Sequence, residues 1–377
     1  MSKVPKLSKR MLEYKNEFYK TYQSSVIPIL KQFENNRKNK ICSLFFIDAL
    51  IIGVMIMPLI DIISGTCFER DAIVPFIEIV ALIVSLIVII ILPFNFNSKF
   101  IDTLKHSCMN QLLKIFGDIY WHDKSDIITD NELSESNLFG IYNTRTSHDA
   151  FEGKFQGVDF KICETEMQHI TGSGKHRRIV TIFKGVIVKF KSNKDIKSNT
   201  IIATKGDKKI KNRNCVAGIG LLGALQILPD LFKNGFNLEM LIVFLVLAAI
   251  IFGIVYLINK FSSKSDIKWQ EIKLEDPEFT KKYKAYSGNQ IEARYLITPA
   301  FMERFQNIQT AFGTNKVKCS FYGNSLMFAI STNKNLFEIG NLWKTLENPK
   351  QMETFFNELS SIFVLVEHFK LDEKTGL

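Results

Sequence analysis

Four long apolar segments limit what this chain can fold into. Residues 41–63 (ICSLFFIDALIIGVMIMPLIDII) and 72–94 each match the roughly 20 residues that a helix needs to cross a bilayer. A short polar link joins them, so they read as one transmembrane hairpin. Residues 215–232 and 238–258 form a second apolar pair, joined around Lys233. The first member of that pair is just long enough to span. It carries Gly218, Gly220, Gly223 and Ala224, small residues that let helices approach closely in lipid. The expected plan is therefore two hairpins and four spans.

Basic residues near the span ends set the orientation. Arg37, Lys38 and Lys40 precede the first span, and Lys99 and Lys105 follow the second. Lys208, Lys209, Lys211 and Arg213 precede the third, and Lys260, Lys264 and Lys268 follow the fourth. The outer links hold only Arg70 and Lys233. Both termini and all the soluble mass are expected on the cytosolic side. The net charge of +10 agrees with this, because the first 40 residues hold ten Lys/Arg against three Glu. Beside a span, such an excess points to anionic inner-leaflet lipids rather than to nucleic acid. This long polar start also does not read as a cleavable signal peptide.

The chain divides into a basic amphipathic helix (1–40), hairpin one (41–94), an amphipathic helical connector (95–134), the first part of a cytosolic α+β domain (135–212), hairpin two (213–260) and the second part of that domain (261–377). In the first helix Met11, Phe18, Tyr22, Val26 and Leu30 recur at steps of four or seven, and Pro28 is expected to kink it. Two readings stay open: a helix on the membrane surface, or one packed on the chain's own domain. The connector is expected to be helical over 95–120, with Phe100, Leu104, Cys108, Leu112 and Phe116 on one face. Thr129 or Asp130 can cap a short helix after it.

Acids inside hairpin one are candidates for function, since charge is expensive in hydrocarbon. Asp48 and Glu78 each lie ~10 Å from opposite ends of the bilayer by helical rise, so they do not meet side by side. A proton or ion pathway stands against simple hydrogen-bonded packing.

From residue 150 the period changes. FEGKFQGVDFKICETEMQHI, IVTIFKGVIVKFKS and TIIATKG alternate apolar and polar residues, as antiparallel strands do. Between the first two lies TGSGKHRR. It is not a P-loop, because His169 and His176 occupy positions where that motif needs glycine and Ser/Thr. It reads as a basic hairpin tip, and Lys175, Arg177 and Arg178 are candidates for headgroup contact. Strands before 206 and after 268 lie on one side of the membrane and can complete one sheet.

Residues 274–304 read as a turn, two strands and the start of a helix. If 290–294 is a strand, Gln290, Glu292 and Arg294 share one face, and Tyr295, Glu303 and Arg304 lie close by. This set is the candidate binding surface. The alternative is that Glu–Arg pairs fix a strand–helix corner by bidentate hydrogen bonds. The pattern SFYGNSLMFAIS is a hairpin turning at Gly323–Asn324.

Six scattered cysteines without a CxxC, and six histidines without an HExxH, give no reason to expect a disulfide framework, a metal site or a cofactor. No nucleophile elbow or dinucleotide fingerprint occurs, and no catalytic residue is nominated.

KLEDPEF, YSGNQIEARYLITPAFMERF, SFYGNSLMFAIS, NLFEIG and KLDEKTGL, with FEGKFQGVDFKICETEM earlier, resemble the bacterial DUF3137 domain family of membrane proteins. The resemblance covers residues 135–205 and 265–377. It implies a multi-pass protein of the bacterial inner membrane with a cytosolic α+β domain, and a LemA-like protein as a possible partner. It implies no activity. Three functions are weighed, in this order: a membrane-tethered binding or scaffold module, a transporter or channel component, and a membrane-surface enzyme using Glu292 or Glu303 with Arg294.

Overall fold

The structure, a computed structural model, describes residues 9–65, 73–192, 195–207, 269–312, 314 and 316–369. Hairpin two (213–260) lies outside the described residues, as does the terminal KLDEKTGL motif from residue 370 onward.

The N-terminal segment is one long helical rod. It comprises α1 (Lys9–Thr21), a π-turn (Tyr22–Val26) and α2 (Ile27–Ser64). At Pro28 the hydrogen-bond spacing changes: Pro28 sits in the first turn of α2, directly after the π-turn, where a missing N–H is tolerated. The stripe of Met11, Phe18, Tyr22, Val26 and Leu30 is buried throughout. Phe18 packs 4.9 Å from Phe356, far along the chain. Of the two readings left open for this helix, packing on the chain's own body is the one observed.

Antiparallel to α2 runs α3 (Ile73–Leu113), which ends in a 3-10 turn (Lys114–Phe116). Gly117 then takes φ +110°, a conformation that breaks the helix. The expected helix over 95–120 therefore stops early. The stretch read as a helical connector contains the first strand, β1 (Ile119–Asp123). Half-buried positions on the two rods recur every three or four residues: Ile51, Met55, Pro58 and Asp61 on α2, and Glu78, Leu82, Ser85 and Ile89 on α3. That is the seam of a helical hairpin. The outward faces stay apolar and exposed, with Phe46 at 72%. Both rods are long and apolar enough to cross a membrane, which makes two candidate spans among the described residues.

The remaining elements are α4 (Asp130–Ser136), β2 (Thr144–Phe155), β3 (Val158–Thr171), β4 (Arg178–Lys191), β5 (Thr200–Thr204), β6 (Gln270–Ile272), α5 (Pro277–Lys282), β7 (Tyr283–Ser287), α6 (Gln290–Leu296), α7 (Pro299–Phe312), β8 (Val317–Tyr322), β9 (Ser325–Ser331) and α8 (Pro349–His368). The strands form a nine-stranded sheet in the order β1-β2-β3-β4-β9-β8-β5-β7-β6. The β8–β9 hairpin lies between β4 and β5, so strands from both sides of residues 208–268 build one sheet. Local turn chemistry fixes the hairpins. Gln156 and Gly157 both take positive φ, +51° and +79°, between β2 and β3, as a two-residue type I′ turn requires. Gly185 lets β9 approach, because a Cβ there would lie 2.1 Å from the Ile330 carbonyl oxygen.

The sheet is covered on both faces. On one face α1, α3, α7 and α8 bury the larger core, with Phe155 stacked 4.3 Å from Phe363. On the other, α4 and the Leu138–Phe139 segment cover Cys163, Ile187 and Met327.

Candidate functional site

The corner from 287 to 304 differs from the sequence expectation. Residues 290–296 form a helix, not a strand. The Asn289 side chain accepts hydrogen bonds from the Ile291 and Glu292 N–H groups and caps it. The signal was present in the sequence as Asn289 followed three residues later by Glu292. The consequence is geometric: at 3.6 residues per turn, positions two apart lie on nearly opposite sides. Glu292 turns inward, and its Oε1 accepts from the Lys197 N–H at 2.7 Å. Gln290 and Arg294 point outward with Ile291 and Tyr295. Gln290 Nε2 donates to Gln270 Oε1 at 2.8 Å, which ties α6 to the edge strand β6. On α7, Glu303 is exposed and Arg304 half-buried. Among the described residues, neither arginine forms an ion pair with Glu292 or Glu303, so the expected Glu–Arg corner is not built. What is built is an outward helix face that carries Ile291, Tyr295, Gln290 and Arg294.

The β3–β4 tip lies at the end of its strands nearer the spans. β1 runs back along α3, with Trp121 4.9 Å from His106 and Lys124 Nζ 3.2 Å from Asp102 Oδ2. Through two antiparallel pairings β3 points the same way as β1. Its tip is a 3-10 turn (Gly174–His176), followed by exposed Arg177, Arg178 and Ile179. The Lys175 side chain lies outside the described residues. In the hairpin, Asp48 and Glu78 are both half-buried rather than fully exposed. Asp48 Oδ1 is buried without a hydrogen-bond partner.

The sequence reading missed a set of buried and half-buried acids. They hold the loop 332–348 by its backbone. Glu164 Oε1 accepts from the Leu336 N–H at 3.4 Å and Glu358 Oε2 from the Phe337 N–H at 2.8 Å. Asn97 Oδ1 accepts from the Leu342 N–H at 2.9 Å, and Glu34 Oε2 from the Leu346 N–H at 3.1 Å. Arg37 closes the array with two hydrogen bonds to Glu34 and one to the Leu342 carbonyl. The loop thus straps the sheet to the bases of α2 and α3. Burial pushes the Glu164 carboxyl up to about 7 and also raises Glu358. The Arg37 hydrogen bonds hold Glu34 below the usual carboxylate range. Next to Glu164, Lys105 is buried and donates to Asp149, which also accepts from Trp121 Nε1 at 2.9 Å. Lys105 thus has a carboxylate partner inside the body and does not present its charge to headgroups. Burial also pushes the Cys108 thiol up to about 12, far from a reactive thiolate. Strand alternation put Glu164 on one face of β3 but carried no information about what covers that face.

The family described as "Protein of unknown function (DUF3137)" matches residues 181–371. No curated protein matches the chain. Among solved structures, the mycobacterial trehalose monomycolate transport factor A aligns at 8% identity with a TM-score of 0.31, over 69% of this chain and 91% of the other. A likeness that remote supports no argument about fold or role.

Proposed function

The chain belongs to the DUF3137 family, and from that premise we propose that it is a membrane-tethered binding module. In this reading α2 and α3 cross a bacterial inner membrane, residues 213–260 add a second hairpin, and both termini lie in the cytosol. Arg177 and Arg178, with Lys175, meet anionic headgroups. The body presents the outer face of α6 to a protein partner.

One observation carries the reading. Ile291 is 85% exposed and Tyr295 52%, one helical turn apart and beside exposed Gln290 and Arg294. Single exposed apolar residues are ordinary. A Tyr and an Arg flanking an exposed Ile, on a capped helix tied to the sheet, match the composition of interface hot spots. The face suits a protein segment that offers an apolar side chain and a carboxylate. A LemA-like membrane protein is the partner class that the family resemblance suggests.

The test is a photo-crosslinking side chain placed at position 291 in intact cells, with position 120, also exposed at 61% on β1, as control. A discrete product at 291 that disappears with Arg294→Ala plus Tyr295→Ala is expected. The same pattern from 291 and 120 would overturn the assignment.

A second reading rests on Asp48, whose unpartnered carboxyl oxygen in the seam is costly in hydrocarbon. If the hairpin forms part of a transport path, Asp48→Asn abolishes flux in reconstituted vesicles, and unchanged flux removes the reading. The enzyme reading keeps only its Glu303 pairing with Arg294, because α6 points Glu292 and Arg294 to opposite sides.

A further inference from the structure

We propose that the tip of the strap, residues 341–344, is an interfacial membrane anchor, with Trp343 seated in the headgroup layer at the cytosolic ends of the spans. The proposal rests on the reading that α2 and α3 cross the bilayer. It places a lipid contact on a part of the chain unrelated to the basic β3–β4 tip.

Register supplies the depth. The Leu342 N–H donates to Asn97 on α3 at 2.9 Å, and its carbonyl accepts from Arg37 on α2 at 3.0 Å. Arg37 lies four residues before the apolar run that starts at 41, and Asn97 three residues after the run that ends at 94. At 1.5 Å per residue these are ~6 Å and ~5 Å beyond the hydrocarbon. A bilayer of about 40–45 Å with a core of about 30 Å leaves roughly 5–8 Å of interfacial layer on each side. Both helices therefore hold the Leu342 backbone at the level of that layer.

The next residue is Trp343, 53% exposed, while its neighbours Leu342 and Leu346 are buried. Asn341 Oδ1 accepts from the Trp343 and Lys344 N–H groups, at 3.1 and 2.9 Å, and closes a turn. The indole thus projects from a fixed backbone. Trp combines an apolar body with one polar N–H and favours this layer over either water or hydrocarbon. Lys344, exposed beside it, complements anionic headgroups. Lipid is the occupant that fits, because α2 and α3 present exposed rings on the bilayer side of this level, Phe94 ~5 Å along α3 from Asn97 and Phe45 ~12 Å along α2 from Arg37.

The experiment uses the full chain in phosphatidylcholine–phosphatidylglycerol vesicles whose acyl chains carry bromine either near the headgroup or deep in the core. Tryptophan emission is recorded for wild type and for Trp343→Phe. The chain has three tryptophans, so the difference between the two spectra isolates Trp343. Alkaline carbonate extraction is run in parallel. The expected difference emission is quenched by shallow bromine more than by deep bromine, and hardly by aqueous iodide. Difference emission that iodide quenches and bromine does not, in protein that resists extraction, would overturn the anchor while leaving the spans intact. Protein that carbonate releases would overturn both.

Discussion

Two halves of one helical rod carry similar apolar side chains and meet opposite fates. Between Met11 and Leu30 one stripe of apolar residues, Met11, Phe18, Tyr22, Val26 and Leu30, is buried against the body, while Leu12 off the stripe is 49% exposed. Between Phe45 and Ile63 they surround the helix, and most are exposed. No break separates the halves, because the rod is continuous through a π-turn. The contrast teaches that helical propensity sets the rod, and that the angular distribution of apolar residues sets its solvent. A narrow stripe needs one covering surface, whereas an apolar surface all round needs a hydrocarbon phase.

The largest expected effect separates the two halves directly. Phe18→Ala empties a fully buried site between Phe355 and Phe356 and should cost about 3–5 kcal/mol. Phe46→Ala, on the outer face of α2, should leave the unfolding of the body unchanged. Thermal unfolding of both variants in detergent measures this, and equal losses would break the comparison. Next comes Ile83→Arg, near the middle of the α3 apolar run and outward-facing. A charge at a span centre is worth about 2.5–3.5 kcal/mol against insertion. The fraction of protein that carbonate extracts from membranes should rise sharply. No rise would mean that this face does not meet lipid.

Acids sharpen the same contrast within the body. Burial raises Glu164 from 4.5 to about 7, so the folded chain holds its proton more tightly than the unfolded chain. Its contribution to stability is full below pH 4.5 and is lost as pH rises through about 7. That interval corresponds to roughly 3 kcal/mol at most. Glu164→Gln keeps an acceptor for the Leu336 N–H. It should flatten the fall in stability between pH 5 and 7, and it should exceed wild type at pH 8 in chemical denaturation. An unaltered pH profile would place the titrating group elsewhere. Glu34 and Glu132 act with the opposite sign. Arg37 lowers the first, and Lys189, with the Thr129 N–H and Lys161, outweighs burial to hold the second at about 2. Their contributions are present above pH 4.5 and are lost as pH falls.

The smallest effect belongs to a locally encoded feature. Thr129 and Glu132 form a capping box at the start of α4. Thr129→Ala should cost about 1 kcal/mol, read from the denaturation midpoint. A much larger loss would mean that α4 is held by its cap rather than by its contacts across the sheet.

The capping box was legible because Thr129 and Glu132 are neighbours along the chain. The same logic applied to Asn289 and Glu292 shows what was readable but misread. There an alternation of polar residues resembles a strand, and the cap decides for a helix. The candidate surface changed with it: Gln290, Arg294 and Tyr295 came together outside, while Glu292 turned in. The strap shows what no local pattern contains. Glu164 and Leu336 stand 172 positions apart, and nothing around either one names the other.

By itself the sequence determined the apolar runs of hairpin one, the stripe on the first helix, the change of period near residue 150, and the hairpin at 323–324. These depend on side chains within a turn or two of one another, so spacing alone reports them. Only the tertiary structure decided which surface covers the stripe, which way each polar residue of α6 points, and which charges lose their water. Desolvation is set by atoms from distant parts of the chain, and in this protein those atoms meet where the strap joins the sheet to the bases of α2 and α3.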